Sequence, residues 1–366
     1  MRVLLLSAYD AQSHAQWRRA LQAMLPHWQW TEVCLPARYF AWRVRGNSLS
    51  LAFGEHADTL REPYDLVVAT SMTDLSALRG FVPELARIPT AVYFHENQFA
   101  YPTSSHTHNS VEPQVLNLYT ALAADYVLFN SHFNRRSFLQ GVSALLKKLP
   151  DLVPKGLPER LEKNSEVLPV PLPDLTDASA SDACWSEQED PLRIVWAARW
   201  EFDKDPELLN AILMALDKRN IDFRLALLGQ RFRHTPRVFD DIIQRFSDRI
   251  DQQGFVESRA AYLSWLASAD YILSTAQHEF QGLAVLEAVA LGCCPLLPQR
   301  QVYPEYFAHE HLYSTTGDVA QQAESAVDKL DALQAMATKP EISVASFASQ
   351  HLCHTYESVL TRVANR

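Results

Sequence analysis

The chain opens on an uninterrupted apolar run, "RVLLLSAY" (2–9). Similar runs recur at "YDLVVAT" (64–70), "PTAVYFH" (89–95), "DYVLFNS" (125–131) and "EVLPVPL" (166–172). Between several of them lie amphipathic segments of helical length, at 14–25, 73–86, 112–124 and 132–147. Short apolar strands alternating with helices predict a parallel sheet buried on both faces. The alternation breaks at "PDLTDASASDACWSEQED" (173–190), which is polar, acidic and without period, and reads as a linker. It then restarts, with strands at 192–198, 223–229, 252–256, 270–274 and 293–298 and helices at 205–219, 235–247, 258–268 and 283–291. The pattern predicts two doubly wound, Rossmann-like α/β domains, 1–172 and 191–345. A terminal helix at about 346–366 is free to pack back on the first. Ligands of such folds bind at the carboxyl ends of the strands, here in a crevice between the two halves.

At 366 residues the chain suits two cores rather than one, and 48% apolar with 21% charged residues describes a globular protein. No apolar run approaches about 18 residues, so no transmembrane helix is expected. The first ten residues read as a buried strand, not a signal peptide. Five scattered cysteines without CxxC spacing predict neither a zinc site nor a disulfide framework, and fit a reducing cytoplasm. A net charge of −10 speaks against indiscriminate nucleic-acid binding but leaves room for a local basic patch.

Candidate chemistry gathers after strands of the second half. In "HEFQGLAVLEAVALG" (278–292), Gly282 opens a helix, so its N–H groups and dipole can face an anion. Glu279 lies in the loop beside that anion, and Glu287, one turn into the helix, can reach a pair of hydroxyls. A phosphate flanked by two carboxylates suits a nucleotide sugar. The plain alternative is a solvated Glu279 and a Glu287 paired with an arginine. "WAARWEFDKDP" (196–206) supplies Arg199 and Lys204, cations suited to a departing diphosphate, or else an ordinary mixed-charge loop. Its "DKD" resembles a metal-binding pair of aspartates, but Asp205 before Pro206 fits a helix N-cap better, and no metal is expected. His106 and His108 have metal-like spacing with only Glu112 as a third ligand, which also argues against a metal.

These features resemble the GT-B glycosyltransferases, family 4-like, which are retaining enzymes. Four further blocks narrow the resemblance: "RYFAWRVRGNSLSLAF" (38–53), "YFHENQFAYP" (93–102), "FNSHFNRRSFL" (129–139) and "RWEFDKDP" (199–206). Together they are similar to the tRNA-queuosine mannosyltransferases, which transfer mannose from GDP-mannose to queuosine in the anticodon of aspartate tRNA. The resemblance implies that Arg199 and Lys204 clamp the diphosphate. Glu279, with the backbone near Gln281, Gly282 and Leu283, would hold the sugar and diphosphate, Glu287 the ribose, and His95 the sugar near its reacting carbon. It implies front-face substitution without a metal, and acceptor contacts from Ser13, His14, Arg38, Trp42, Arg43, Glu96, Asn97, Gln98 and Asn130. The family often carries a glycine pair in the first strand–helix loop, whereas "YDAQSHAQW" has none between Tyr9 and Trp17. Ser13 is expected to cap the helix that follows.

For tRNA, "RYFAWRVR" (38–45) interleaves Arg38, Arg43 and Arg45 with Tyr39, Phe40 and Trp42, a composition expected of single-stranded RNA loop recognition. An amphipathic strand with its aromatics packed inward would produce the same composition. Seven basic and three acidic residues between Arg135 and Lys163, and three arginines in "RFRHTPR" (231–237), add to the basic surface or to solvated faces. The alternatives are a same-fold enzyme with another nucleotide sugar and a lipid or small-molecule acceptor, and a non-catalytic RNA- or nucleotide-binding scaffold.

Overall fold

The computed structural model describes residues 1–101, 111–175, 185–186, 191–232, 234–336 and 342–366. Two compact units divide the chain: Met1–Pro173 with Phe347–Arg366, and Asp174–Ser346.

The first unit runs β1 (Arg2–Asp10), α1 (Gln12–Met24), β2 (Gln29–Pro36), α2 (Phe40–Phe53), β3 (Leu66–Thr70), α3 (Leu75–Phe81), β4 (Thr90–Phe94) and α4 (Glu112–Ala123). It continues with β5 (Tyr126–Phe129), α5 (His132–Lys148), α6 (Leu157–Lys163) and β6 (Ser165–Val167). The sheet order is β2-β1-β3-β4-β5-β6, and every pairing is parallel. β3, β4 and β5 are buried at every position, which is why their sequences are apolar without alternation. The second unit runs β7 (Leu192–Ala197), α7 (Pro206–Lys218), β8 (Phe223–Leu228), α8 (Val238–Arg245), β9 (Ile250–Gly254), α9 (Arg259–Ala267) and β10 (Tyr271–Leu273). α10 (Leu283–Ala290), β11 (Cys294–Pro298), α11 (Tyr303–Tyr306), β12 (Leu312–Tyr313) and α12 (Val319–Gln334) complete it. Its parallel sheet has the order β12-β11-β10-β7-β8-β9.

The terminal helix α13 (Ser349–Ala364) belongs to the first unit. Its Tyr356 hydroxyl is fully buried, accepts from Trp17 Nε1 at 3.1 Å and donates to the Pro169 carbonyl at 2.8 Å.

Several local expectations change. Residues 40–53 form a helix, not a strand with its aromatics inward: Tyr39 and Trp42 are exposed while Arg43, Asn47 and Ser48 are buried. Asn47 explains the inversion, because it donates to the Arg43 and Met72 carbonyls at 2.6 and 3.1 Å and accepts from the Asp74 amide at 2.9 Å. Ser13 lies inside the first turn of α1, whose N-cap is Ala11, so it does not cap that helix. Asp205 does cap α7, accepting from the Leu208 amide at 3.1 Å from a left-handed backbone, φ 51°. His106, His108 and most of the 173–190 segment lie outside the described residues. Trp185, within that segment, donates to Ser268 Oγ at 2.8 Å and meets the Trp265 ring edge-on.

Candidate active site

In the second unit the strand order reverses between β7 and β10, and side chains leaving those two strand ends face each other. This is where a doubly wound sheet opens a ligand crevice. Lys204 follows β7 and is buried. Its Nζ donates to the His278 carbonyl at 2.8 Å and pairs with Glu279 Oε2 at 3.2 Å and Asp203 Oδ2 at 3.3 Å. Burial works against the ammonium, but the Glu279 and Asp203 charges outweigh it and raise its pKa. Burial likewise works against the Glu279 carboxylate, while the Lys204 charge, its hydrogen bond and the Gly282 backbone hold the pKa below the ordinary value. Both partners are therefore ionised at neutral pH.

The two loops are strapped together. Thr275 Oγ1 donates to the Lys204 carbonyl at 2.6 Å, the Gln277 amide to the Asp203 carbonyl at 2.9 Å, and Gln277 Nε2 to Asp205 Oδ2 at 2.9 Å. Gly282, at φ 74°, is the N-cap of α10, and Leu283 is its first residue. A Cβ on Gly282 would stand 3.2 Å from the Tyr303 ring, so chain direction and packing both select glycine. The Tyr303 hydroxyl shares a 2.7 Å hydrogen bond with Ser274. A small pocket opens between Lys204, Ser274, Thr275, Glu279, Gly282 and Tyr303. His278 is buried beside it, and burial, with the Lys204 charge, lowers its pKa to about 4. Gln281 is also buried.

Glu287 is 3% exposed on α10 and takes a two-pronged contact from Arg259, Nη2–Oε1 2.6 Å and Nη1–Oε2 3.2 Å. The arginine partner of the plain alternative thus exists, although the expected solvated Glu279 does not. Arg259 is half-exposed, opens α9 and lies over the Tyr262 ring at 5.2 Å. Arg199 is also half-exposed and pairs with Glu201 Oε2 at 2.8 Å, while its charge reaches Lys204 and His278. Burial raises the Glu201 pKa against the pull of Arg199. The "DKD" carboxylates are both in use, Asp203 on Lys204 and Asp205 at the helix cap. Among the described residues no group of three or more His, Cys, Asp or Glu could hold a metal.

In the first unit His95 follows β4 and is buried with His14, the third residue of α1. Asn97 serves the loop rather than a ligand. Its Nδ2 donates to Asn134 Oδ1 and Ser137 Oγ at 2.9 Å, and its Oδ1 accepts from the Phe99 and Ala100 amides. Asn130 is buried and donates to the His95 carbonyl at 2.8 Å, fixing that loop end. Glu96 and Gln98 keep partly exposed side chains, and the Gln98 amide donates to Asn117 Oδ1 at 2.8 Å. Ser13 is partly exposed.

Of the basic residues, Arg38 and Trp42 are exposed, and Arg38 lies over the Tyr39 ring at 5.7 Å. Arg43 is 9% exposed, and its Nε is buried without a partner. Arg45 pairs with Asp74 at 3.0 Å and with Glu112. Arg135 holds Ser165 Oγ and the Glu162 carbonyl, and Arg231 pairs with Asp240 over the Trp200 ring. These internal uses reduce the basic surface that composition suggests. Spacing and motif did not single out Arg259 or Tyr303. Neither carries a local signal, because each meets its partner through the fold.

A lysine–glutamate pair at a helix start, set where a parallel sheet reverses, and a second doubly wound unit in the same chain define a glycosyltransferase of the GT-B fold. Solved structures share that fold. Anabaena HepE in complex with UDP superposes at TM-score 0.69 with 15% identity, covering 99% of this chain and all of that one. The Candida albicans trehalose-6-phosphate phosphatase N-terminal domain reaches 0.70 with 13% identity, covering 99% and 97%. Sucrose-phosphate synthase from Thermosynechococcus elongatus reaches 0.63 with 13% identity, covering 100% and 96%. Residues 2–172 match the family model described as tRNA-queuosine alpha-mannosyltransferase N-terminal. The tRNA-queuosine alpha-mannosyltransferase of Drosophila melanogaster is 34% identical over 322 residues, 86% of this chain and 84% of that protein. The chain belongs to the tRNA-queuosine alpha-mannosyltransferase family.

Proposed function

We propose that this enzyme transfers mannose from GDP-mannose to a hydroxyl of the cyclopentenediol of queuosine in a tRNA anticodon, with retention and without a metal ion. The bond between the anomeric carbon and the diphosphate oxygen breaks. The acceptor hydroxyl bonds to that carbon on the same face, and the leaving phosphate takes the acceptor proton. Lys204 and the N–H groups opening α10 neutralise charge that develops on the diphosphate, a contribution larger in the transition state than in the ground state. Arg199 adds a second cation once its contact with Glu201 yields, Glu279 accepts from sugar hydroxyls, Glu287 holds the ribose, and His95 meets the transferred sugar.

Kinship with the Drosophila enzyme carries the choice of sugar and acceptor. Exposed Tyr39 and Trp42 beside Arg38 support a contact with unstacked anticodon bases. Engagement of both "DKD" carboxylates supports metal independence. Free thiols at Cys34 and Cys353 support a cytoplasmic site of action, and no described helix is long and apolar enough to cross a membrane.

The test incubates the purified protein with queuosine-containing tRNA and a panel of nucleotide sugars, with and without EDTA, followed by nucleoside mass analysis. A hexose mass added only from GDP-mannose, and equally with EDTA, is expected. Addition from UDP-glucose, or none to tRNA, overturns the donor or acceptor assignment.

A further inference from the structure

His14 and His95 lie face to face, ring centroids 4.1 Å apart and planes 21° from parallel. Trp17, one turn further along α1, meets His95 edge-on at 5.0 Å and stacks on Tyr93 at 4.3 Å. Tyr93 itself touches His95 at 4.7 Å, and the buried Tyr356 hydroxyl anchors the Trp17 indole. The His95 ring is thus packed by three aromatic rings carried on two elements.

Packing alone does not explain two histidines here. They are 3% and 6% exposed, and His14 Nδ1 and His95 Nε2 are buried without a hydrogen-bond partner. An apolar ring would fill the same volume without stranding polar atoms, and such unpaired groups in a native fold call for a reason. The stack also disfavours a proton, because a cation on either ring would face its neighbour in a dry site. Burial lowers the His14 pKa to about 4 against the pull of the Asp10 charge, itself paired with Arg18 at 3.1 Å, and of a hydrogen bond with the Tyr9 backbone. Burial and then the His14 charge lower that of His95.

We propose that His14 is a positioning residue: its ring, stacked on His95, fixes the plane of the imidazole that meets the transferred sugar. The role of His95 rests on the functional reading above; the coupling between the two rings does not. His14 thereby serves His95 from the glycine-free first loop, in place of a contact with the acceptor.

The experiment compares the full-length parent with His14→Phe and His14→Ala. It records kcat and both KM values for transfer, the melting temperature, and the His95 ring-proton NMR shift at about pH 8, where both rings are neutral. His14→Ala is expected to lower kcat about tenfold or more, with both KM values within about threefold, because a misaligned group costs rate rather than binding. His14→Phe keeps the stacked ring and is expected to restore kcat to within about threefold of the parent. In His14→Ala the His95 ring protons move downfield as the stacked ring is lost, and in His14→Phe they stay near the parent's shift. An unchanged kcat in His14→Ala overturns the proposal. So does an acceptor KM raised alone and not rescued by phenylalanine, or a His95 ring-proton shift unmoved in His14→Ala. If His14→Ala does not fold, His14→Leu takes its place, a side chain of similar size without a ring. A parent that adds no hexose to tRNA sinks the functional reading, while the NMR arm still judges the two rings.

Discussion

Replacing Lys204 with methionine removes the ammonium that faces both Asp203 and Glu279. Asp203 is 1% exposed and its Oδ1 already lacks a partner, so the loss leaves a buried carboxylate uncompensated. Breaking a buried pair from one side costs about 3–5 kcal/mol, which for a unit of this size lowers the melting temperature by roughly 6–20 °C. The catalytic loss has a separate origin. A cation about 4 Å from a charge developing in the transition state, at an effective dielectric near 20, contributes about 4 kcal/mol, or roughly 10²–10³ in kcat.

A second substitution separates the two losses. In Lys204→Met/Asp203→Asn the fully buried charge is gone and only the partly exposed Glu279 is left unpaired, so part of the melting temperature returns while turnover stays low. Scanning calorimetry follows the transition of the second unit, and nucleoside mass analysis follows transfer. If Lys204→Met keeps kcat within about fivefold and moves the melt by less than about 2 °C, the placement of this cation at the reacting diphosphate is wrong.

Three further outcomes are expected. Glu287→Ala removes an acceptor for ribose hydroxyls and should weaken GDP binding about 10- to 100-fold with little loss of stability beyond the Arg259 contact; calorimetric titration with an unchanged affinity would remove it from the donor site. The His14 pKa is depressed from 6.5 to about 4 in the folded state, so its contribution is complete above pH 6.5 and is lost as pH falls toward 4, about 3 kcal/mol in all. Denaturant melts of the first unit should show that slope, and His14→Phe should reduce it. Asn97→Ala strands the Phe99 and Ala100 amides and should cost about 2–3 kcal/mol, read as a lower urea midpoint; no change would contradict its structural role.

Strands buried on both faces announce themselves in the sequence, and β1, β3, β4, β5, β7 and β8 lie where the apolar runs place them. β2 does not, because at the edge of its sheet it buries only Val33 and Leu35 and its residues mix polar with apolar. α2 is hidden for another reason: Gly46, Asn47 and Ser48 are weak helix formers, and its exposed side is the aromatic one. Tertiary hydrogen bonds from Asn47 hold that helix, and no local pattern encodes them. α12 is different, since its Asp318–Gln321 capping box is a local signal that a search for helix starts finds.

The same division governs the site. Glu279, Gly282 and Glu287 are legible because one strand end and one helix start carry all three, so their spacing is their geometry. Arg259 and Tyr303 come from other elements and become visible only when α9 and α11 pack against α10 and its loop. The observed contacts also sort the charges by what each can accept. Glu279 and Asp203 contribute two negative charges against one from Lys204, a balance that would repel a diphosphate brought against the carboxylates. On the proposed reading, phosphate oxygens therefore approach from the side of Lys204 and the Gly282–Leu283 backbone, where the donors lie, and the Glu279 carboxylate, an acceptor only, is left for the hydroxyls of the sugar. On the proposed reading, this segregation of donors from acceptors across one small pocket orients the sugar and its leaving group in opposite directions.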